Sequence, residues 1–257
     1  METDEKPDAG HTDVIVRVRD LCAGFDGRMV FRDVSFDVRR GEIFVIAGGS
    51  GCGKSTLLKH MIGLYWPTRG GVEIDGVDIH RVASAQRCRL RRRIGVAYQG
   101  GALFGSMSVL ENVCLPLEAF TELPVEAIRM IALGKLRLVR LEDAAPAMPA
   151  ELSGGMQKRA ALARALALDP SLVFLDEPSA GLDPVTSAGL DRLVLDLRSL
   201  LATTFVVVTH ELPSIFAIAD RVLMLDARRK TIAAMDSPTA LRDSRDPTVA
   251  DFFNRRG

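Results

Sequence analysis

The segment Gly48-Gly49-Ser50-Gly51-Cys52-Gly53-Lys54-Ser55-Thr56 follows the apolar run Ile43 to Ala47 and precedes Leu57, Leu58, Met61 and Ile62, whose spacing is helical. It fits G-x-x-x-x-G-K-[ST] in the strand, loop, helix context that gives the pattern its meaning. The glycines let successive backbone N–H groups turn inward toward phosphate oxygens, and the helix that follows adds its positive N-terminal end. Binding of nucleotide phosphates is therefore expected. Lys54 would bring a full charge to the β- and γ-phosphates, and the Ser55 hydroxyl a ligand to Mg²⁺.

Upstream, Val14, Val16 and Val18 alternate with Ile15, Arg17 and Arg19, and Val34, Phe36 and Val38 with Ser35, Asp37 and Arg39, a pattern that predicts an antiparallel starting sheet. Downstream, Val72 to Ile79 carries an Asp75-Gly76 turn and Ile94 to Tyr98 reads as a short strand. From about Ser108 to Leu168 the composition turns helical, with Pro116, Pro124, Pro146 and Pro149 as punctuation. Two buried-type strands follow, Leu172 to Leu175 and Phe205 to Val208, with a helix expected across Ala188 to Leu200. A closing hairpin at Leu223 to Leu225 and Thr231 to Ala234 and two short helical pieces near Pro238 and Pro247 complete the chain. Alternating strand and helix implies a parallel α/β core. The expected organisation is a tail over 1–12, one domain over 13–240 and a helical tail over 241–257. Within the domain, a core is expected from 13–98 and 169–235, with a helical lobe inserted at 99–168.

The chain has 257 residues, 47% of them apolar, and 33 basic against 33 acidic side chains. That balance gives no support to a nucleic-acid partner, which favours a basic domain. The apolar runs are far shorter than the roughly 20 residues a spanning helix needs, and Met1 to Thr12 has no secretory pattern. A cytosolic location is expected. Cysteines 22, 52, 88 and 114 form no CxxC pair, so reduced thiols are expected rather than zinc or disulfides. Cys52 lies in the phosphate loop, either as a thiol open to modification or simply as a small side chain.

Leu172-Val-Phe-Leu-Asp176-Glu177 is an apolar strand tipped by two acids, which belong at the carboxyl edge of a parallel sheet where ligands of such folds bind. Asp176 is expected to hold Mg²⁺ through water, and Glu177 to polarise the attacking water. Leu152-Ser153-Gly154-Gly155-Met156, followed by Gln157-Lys158-Arg159, resembles the signature of the ABC ATPases, the family that places such a segment between its P-loop and its acid-tipped strand. The resemblance extends to Gln99 as the Q-loop glutamine, with a part in holding Mg²⁺, to Ser179-Ala-Gly-Leu-Asp183 as the D-loop, and to His210 as the switch histidine. It implies the α/β fold of an ABC nucleotide-binding domain, with an N-terminal antiparallel β subdomain and an inserted α-helical subdomain. It also implies ATP hydrolysis with Mg²⁺, and a head-to-tail dimer of two copies in which Ser153, Gly154 and Gly155 cover the γ-phosphate held by the partner's P-loop. In that arrangement His210 works with Glu177, and Asp183 couples the two sites. A helix starting near Gln157 is expected to aim the signature N–H groups at the anion.

Two positions depart from the family pattern. Met156 stands where Gln is commonest, and Phe25 is the candidate adenine-stacking residue in place of the usual Tyr, the alternative being a core phenylalanine. Arg81, Arg87, Arg89, Arg91, Arg92 and Arg93 form a basic run, read either as a contact for acidic lipid or protein or as a solvated helix face. Val249, Phe252 and Phe253 suit a neighbouring subunit or their own domain equally.

Gln99-Gly-Gly-Ala-Leu-Phe104, Met107-Ser-Val-Leu-Glu-Asn112, Ser179 to Pro184 and Arg245 to Phe253 are similar to the ATPases of MCE-type phospholipid transporters in double-membraned bacteria. This implies lipid cargo, an integral membrane permease as a separate chain, an MCE-type lipid-binding protein, and a place on the cytoplasmic face of the inner membrane. Permease docking is expected in the cleft between core and helical lobe, near Gln99 to Met107. The alternatives are the ATPase of a small-solute importer, such as one for an amino acid, and a soluble ABC ATPase of DNA repair or translation. The latter members usually carry coiled-coil or zinc insertions, or two cassettes in one chain, and this chain shows neither.

Overall fold

The structure, a computed structural model, describes residues 13–25 and 27–254, so the expected tail over 1–12 lies outside the described residues. Two sheets organise the chain. β1 (Val14–Phe25), β2 (Arg28–Arg39), β4 (Arg69–Ile74) and β5 (Val77–Asp78) form an antiparallel sheet in the order β2-β1-β4-β5. The expected strict alternation in β1 is broken: Ile15 and Val16 are both buried, because the register with β2 slips between Val14 and Val16. The Asp75-Gly76 turn joins β4 to β5 with both central residues at positive φ, as a tight hairpin requires.

The second sheet runs β10-β9-β3-β8-β7-β6. It comprises β3 (Ile43–Ala47), β6 (Ile94–Ala97), β7 (Leu172–Asp176), β8 (Thr204–Val208), β9 (Arg221–Asp226) and β10 (Thr231–Asp236). All neighbours are parallel except β9 and β10, the expected hairpin. Both faces are covered, so β3, β7 and β8 are buried along their whole length and read as unbroken apolar runs. Ile43, Val45 and Ala47 face a helical layer, while Phe44 and Ile46 face the β1–β5 sheet and α1 (Lys54–Met61).

α2 (Ser84–Arg92), before β6, buries Leu90 on the α1 side of the sheet, and the helical layer on the opposite face holds α3 (Val109–Phe120), α4 (Val125–Leu138) and α5 (Gly154–Ala165), between β6 and β7. Ser108 and Glu111 form a capping box that starts α3. α6 (Pro184–Leu201) begins four residues before the expected Ala188, because Asp183 caps it and Pro184 suits the first helical position. The chain closes with α7 (Leu212–Ile218), α8 (Pro238–Arg242) and α9 (Pro247–Asn254). Val249 and Phe253 are buried in the chain's own core, which decides against a neighbouring subunit for those two.

Much of the basic run is spent within the chain. Arg93 pairs with Asp75 at 2.9 Å and Arg81 with Asp78 at 3.5 Å, Arg87 lies over the Trp66 ring and Arg92 over Phe120. No described helix is long and apolar enough to cross a membrane.

Candidate functional site

β3, β8, β7 and β6 are consecutive and parallel, so the loops leaving their carboxyl ends emerge along one edge of the sheet. Those loops carry the phosphate loop, His210, Asp176 with Glu177, and Gln99. Their side chains surround a cavity of about 500 Å³ lined by Ser50, Lys54, Ser55, Gln99, Glu177 and His210, together with Gly51, Gly53, Thr56 and Val30.

The loop between β3 and α1 owes its shape to glycine at two positions. Gly48 has φ +144°, and a Cβ there would lie 2.5 Å from the Leu225 carbonyl oxygen. Gly53, at φ +101°, would meet Val30 at 2.8 Å. Both are strained for any other residue and tightly enclosed. Lys54 is buried and donates to the carbonyls of Gly48 at 2.8 Å and Gly49 at 3.2 Å, so the ammonium is held over the loop. The Cys52 thiol is 2% exposed and burial pushes its pKa up, which answers the earlier alternative in favour of an unreactive small side chain.

Ser55 donates its hydroxyl to Asp176 Oδ1 at 3.2 Å, joining the phosphate loop to the tip of β7. Burial raises the Asp176 pKa, with the Ser55 hydrogen bond opposing it. Among the described residues no three His, Cys, Asp or Glu side chains form a cage. A serine hydroxyl beside one carboxylate is a hard-oxygen pair that fits Mg²⁺, an ion that keeps most of its shell as water and substrate phosphate.

Glu177 follows β7 in the left-handed region, φ +47°, held by its N–H donating to the Val208 carbonyl at 2.8 Å. The side chain is 9% exposed, with Oε1 2.9 Å from His210 Nδ1 and Oε2 buried without a partner. A buried carboxylate oxygen left open in a phosphate site is suited to accept a proton from water.

The predicted trans residues lie apart from this cavity. Ser153 caps α5, accepting from the Met156 N–H at 3.3 Å, so the helix starts at Gly154 and not near Gln157 as the sequence suggested. Glycine has poor helix propensity, but the serine cap and close packing outweigh it in this first turn. Ser153 and Gly154 are exposed at the helix N-terminus, whereas Gly155 is buried and a Cβ on it would lie 2.5 Å from Thr186 Cγ2. Asp183 accepts from the N–H groups of Val185 and Thr186, both at 3.0 Å, and from the Thr186 hydroxyl. These hydrogen bonds, the Thr186 hydroxyl first, lower its pKa. Gly155→Ala is therefore expected to cost about 1–3 kcal/mol by overpacking. Adding Thr186→Ser, which removes the obstructing methyl and keeps the hydroxyl, should recover most of it in urea unfolding.

Phe25 is 46% exposed and meets Tyr65 edge to face at 5.4 Å, so the core reading fails for it. It sits at the β1–β2 turn, from which β2 continues to Val30 on the cavity wall.

Sequence reasoning missed three residues that hold the Gln99 loop. Asn112, fully buried, accepts from the Phe104 N–H and donates to the Phe104, Met107 and Ser108 carbonyls. Arg164 donates to the Gly101 and Ala102 carbonyls at 2.9 and 2.8 Å, and Lys158 to that of Gln99. A basic residue on a helix carries no signal that it will reach a loop's main chain some 60 positions away.

A phosphate loop, two acids and a histidine on one parallel edge, with a separate serine-capped glycine helix, define a P-loop ATPase of the ABC type. The family model for ABC transporters matches residues 31–180, and the chain belongs to that family. It is an ATPase that binds ATP with Mg²⁺ and hydrolyses it to power transport. It is 41% identical to the intermembrane phospholipid transport ATP-binding protein MlaF of Escherichia coli over 93% of this chain and 88% of that one. It is 40% identical to the probable ribonucleotide transport ATP-binding protein mkl of Mycobacterium leprae over 95% of this chain and 70% of that one. Among solved structures, cbiO1 of Clostridium perfringens superposes with TM-score 0.82 at 27% identity, covering 95% and 96% of the two chains. MJ0796, a dimeric bacterial ABC transporter cassette, superposes at 0.78 and 30% identity, covering 87% of this chain and 98% of its own.

Proposed function

We propose that this ATPase drives phospholipid transport between inner and outer membranes, working at the cytoplasmic face of the inner membrane. Its partners in this reading are a separate integral permease and an MCE-type lipid-binding protein. The observation that carries the reading is 41% identity, over nearly the whole chain, to proteins named for intermembrane phospholipid transport. The mkl relatives, named for ribonucleotide transport at nearly the same identity, support a second reading in which the cargo is a polar solute. Affinity purification of the tagged chain from detergent-solubilised native membranes, with mass spectrometry of proteins and lipids, separates them. A permease with an MCE protein and phospholipid supports the first, and a solute permease supports the second.

In the hydrolytic step, the loop N–H groups and Lys54 hold the β- and γ-phosphates, and Glu177 Oε2 takes the proton from the attacking water. His210 fixes Oε1 and so aims Oε2. Ser55, Asp176 and Gln99 would hold Mg²⁺, which when bound would offset phosphate charge. The signature lies outside the cavity of its own chain, so Ser153, Gly154 and Gly155 of a second copy close the site and hydrolysis reopens it. MJ0796 is described as dimeric in a post-hydrolysis state with ADP and Pi, which supports this assembly. In the single chain Asp183 is a helix cap, so its coupling role acts through the placement of α6. Phe25 stacks on the adenine.

Permease docking is assigned to a largely apolar groove of about 550 Å³ between β6 and α3, lined by Leu64, Val96, Phe104, Leu115 and Phe120 among others. Phe104 is 51% exposed there, and Arg164 lies over its ring. Phe104→Ala is expected to weaken permease association about tenfold or more, as loss of a buried aromatic anchor does, and to leave ATP affinity of the isolated chain unchanged. Lost ATP binding with intact permease association would place the docking surface elsewhere.

A further inference from the structure

Glu177 occupies a backbone conformation that a non-glycine residue adopts only when its surroundings impose it. Its N–H is fixed by β8 and its Oε1 by His210, the residue that follows β8 and Thr209. Its carbonyl accepts from the Ala180 N–H at 3.2 Å and also faces another element. Lys158, on the signature helix α5, places its ammonium 3.5 Å from the Glu177 carbonyl oxygen and in hydrogen-bond contact with the Gln99 carbonyl oxygen. It is half-buried, and burial lowers its pKa while Asp176, Glu177 and Glu211 oppose that shift. One ammonium on the helix that presents Ser153 and Gly154 thus touches the main chain of both residues expected to meet the γ-phosphate and its water.

We propose that Lys158 is a positioning residue for hydrolysis, linking the seating of the signature helix to the placement of Glu177 and Gln99. This rests on the reading of Glu177 as the group that activates water. Lys158 does not itself line the cavity but touches two residues that do, so its effect passes through Glu177 and Gln99 and belongs to turnover. When α5 shifts, the Gln99 carbonyl loses its ammonium donor and the Glu177 carbonyl keeps only the Ala180 N–H, which loosens the aim of the carboxylate while nucleotide stays bound.

The full chain carrying Lys158→Met, Lys158→Gln or Lys158→Arg would be compared with Glu177→Gln for kcat, for KM and for thermal midpoint. Lys158→Met is expected to lower kcat about tenfold with KM within about twofold of wild type, a split that marks an interaction used in turnover. Lys158→Arg, which keeps charge and donors, should recover kcat to within about threefold, and Lys158→Gln, a shorter neutral donor, should fall between. A Lys158→Met enzyme with unchanged kcat overturns the inference. So does a loss lying wholly in KM or thermal midpoint, with arginine giving no recovery. If Glu177→Gln also retains turnover, the reading of Glu177 falls with it. If Glu177→Gln is inactive and Lys158→Met is normal, only the role of Lys158 falls.

Discussion

Glu177→Gln is expected to bind ATP as tightly as the wild type, lose turnover by about 10²–10⁴-fold, and accumulate as a nucleotide-bound dimer. The amide matches the carboxylate in shape, so the Val208 hydrogen bond and the contact with His210 can both persist. What changes is the buried atom at the Oε2 position, which has no protein partner. As a carboxylate oxygen it can receive the proton of water; as part of a neutral amide it cannot. Removing one negative charge beside the γ-phosphate also favours the ATP state electrostatically. Single-turnover hydrolysis with size-exclusion chromatography in ATP checks both halves of the expectation. Wild-type turnover in the variant would strip Glu177 of its assigned role.

The fold was legible where local pattern and tertiary demand agree. β3, β7 and β8 are buried on both faces and so announce themselves as continuous apolar runs, and the Asp75-Gly76 turn follows from positive φ at both residues. Boundaries failed where a cap overrode propensity. α5 starts on two glycines because Ser153 caps it, and the buried Gly155 leaves the room in which Thr186 sits. The β1 register slip is set by pairing with β2 and leaves no mark on the alternation of its own residues.

The site divides in the same way. Each residue of the phosphate loop, the two acids and His210 lies next to its own strand end, and once the strands are known to be parallel their convergence follows. Gln99 joins by the same rule through β6. Lys158, Asn112 and Arg164 act across the fold on main-chain carbonyls, a target that any donor of suitable length satisfies, so residue type alone could not reveal them. Gly95 is a further case: a Cβ there would lie 2.2 Å from the Ala165 carbonyl oxygen, a closeness set by how α5 meets β6.

Lys54→Ala, unlike Glu177→Gln, is expected to weaken ATP binding itself. The ammonium lies against two loop carbonyl oxygens, Gly48 at 2.8 Å and Gly49 at 3.2 Å, inside a largely buried pocket. Alanine leaves both carbonyls without that donor and without the charge that offsets them, so an incoming phosphate meets oxygen dipoles where it met a cation. A charge-assisted hydrogen bond contributes about 1.5–3 kcal/mol, and its loss corresponds to roughly 10–100-fold in Kd. Since bound ligand stabilises the folded state by mass action, the wild type should gain thermal stability with added Mg·ATP while Lys54→Ala gains little at the same concentration. Glu177→Gln measured alongside should show the full ATP-dependent shift, because it keeps the loop and loses only the proton acceptor. A normal shift in Lys54→Ala would mean that the glycine-loop N–H groups alone hold the phosphates, and the ammonium would then be assigned to stiffening the loop through Gly48 and Gly49.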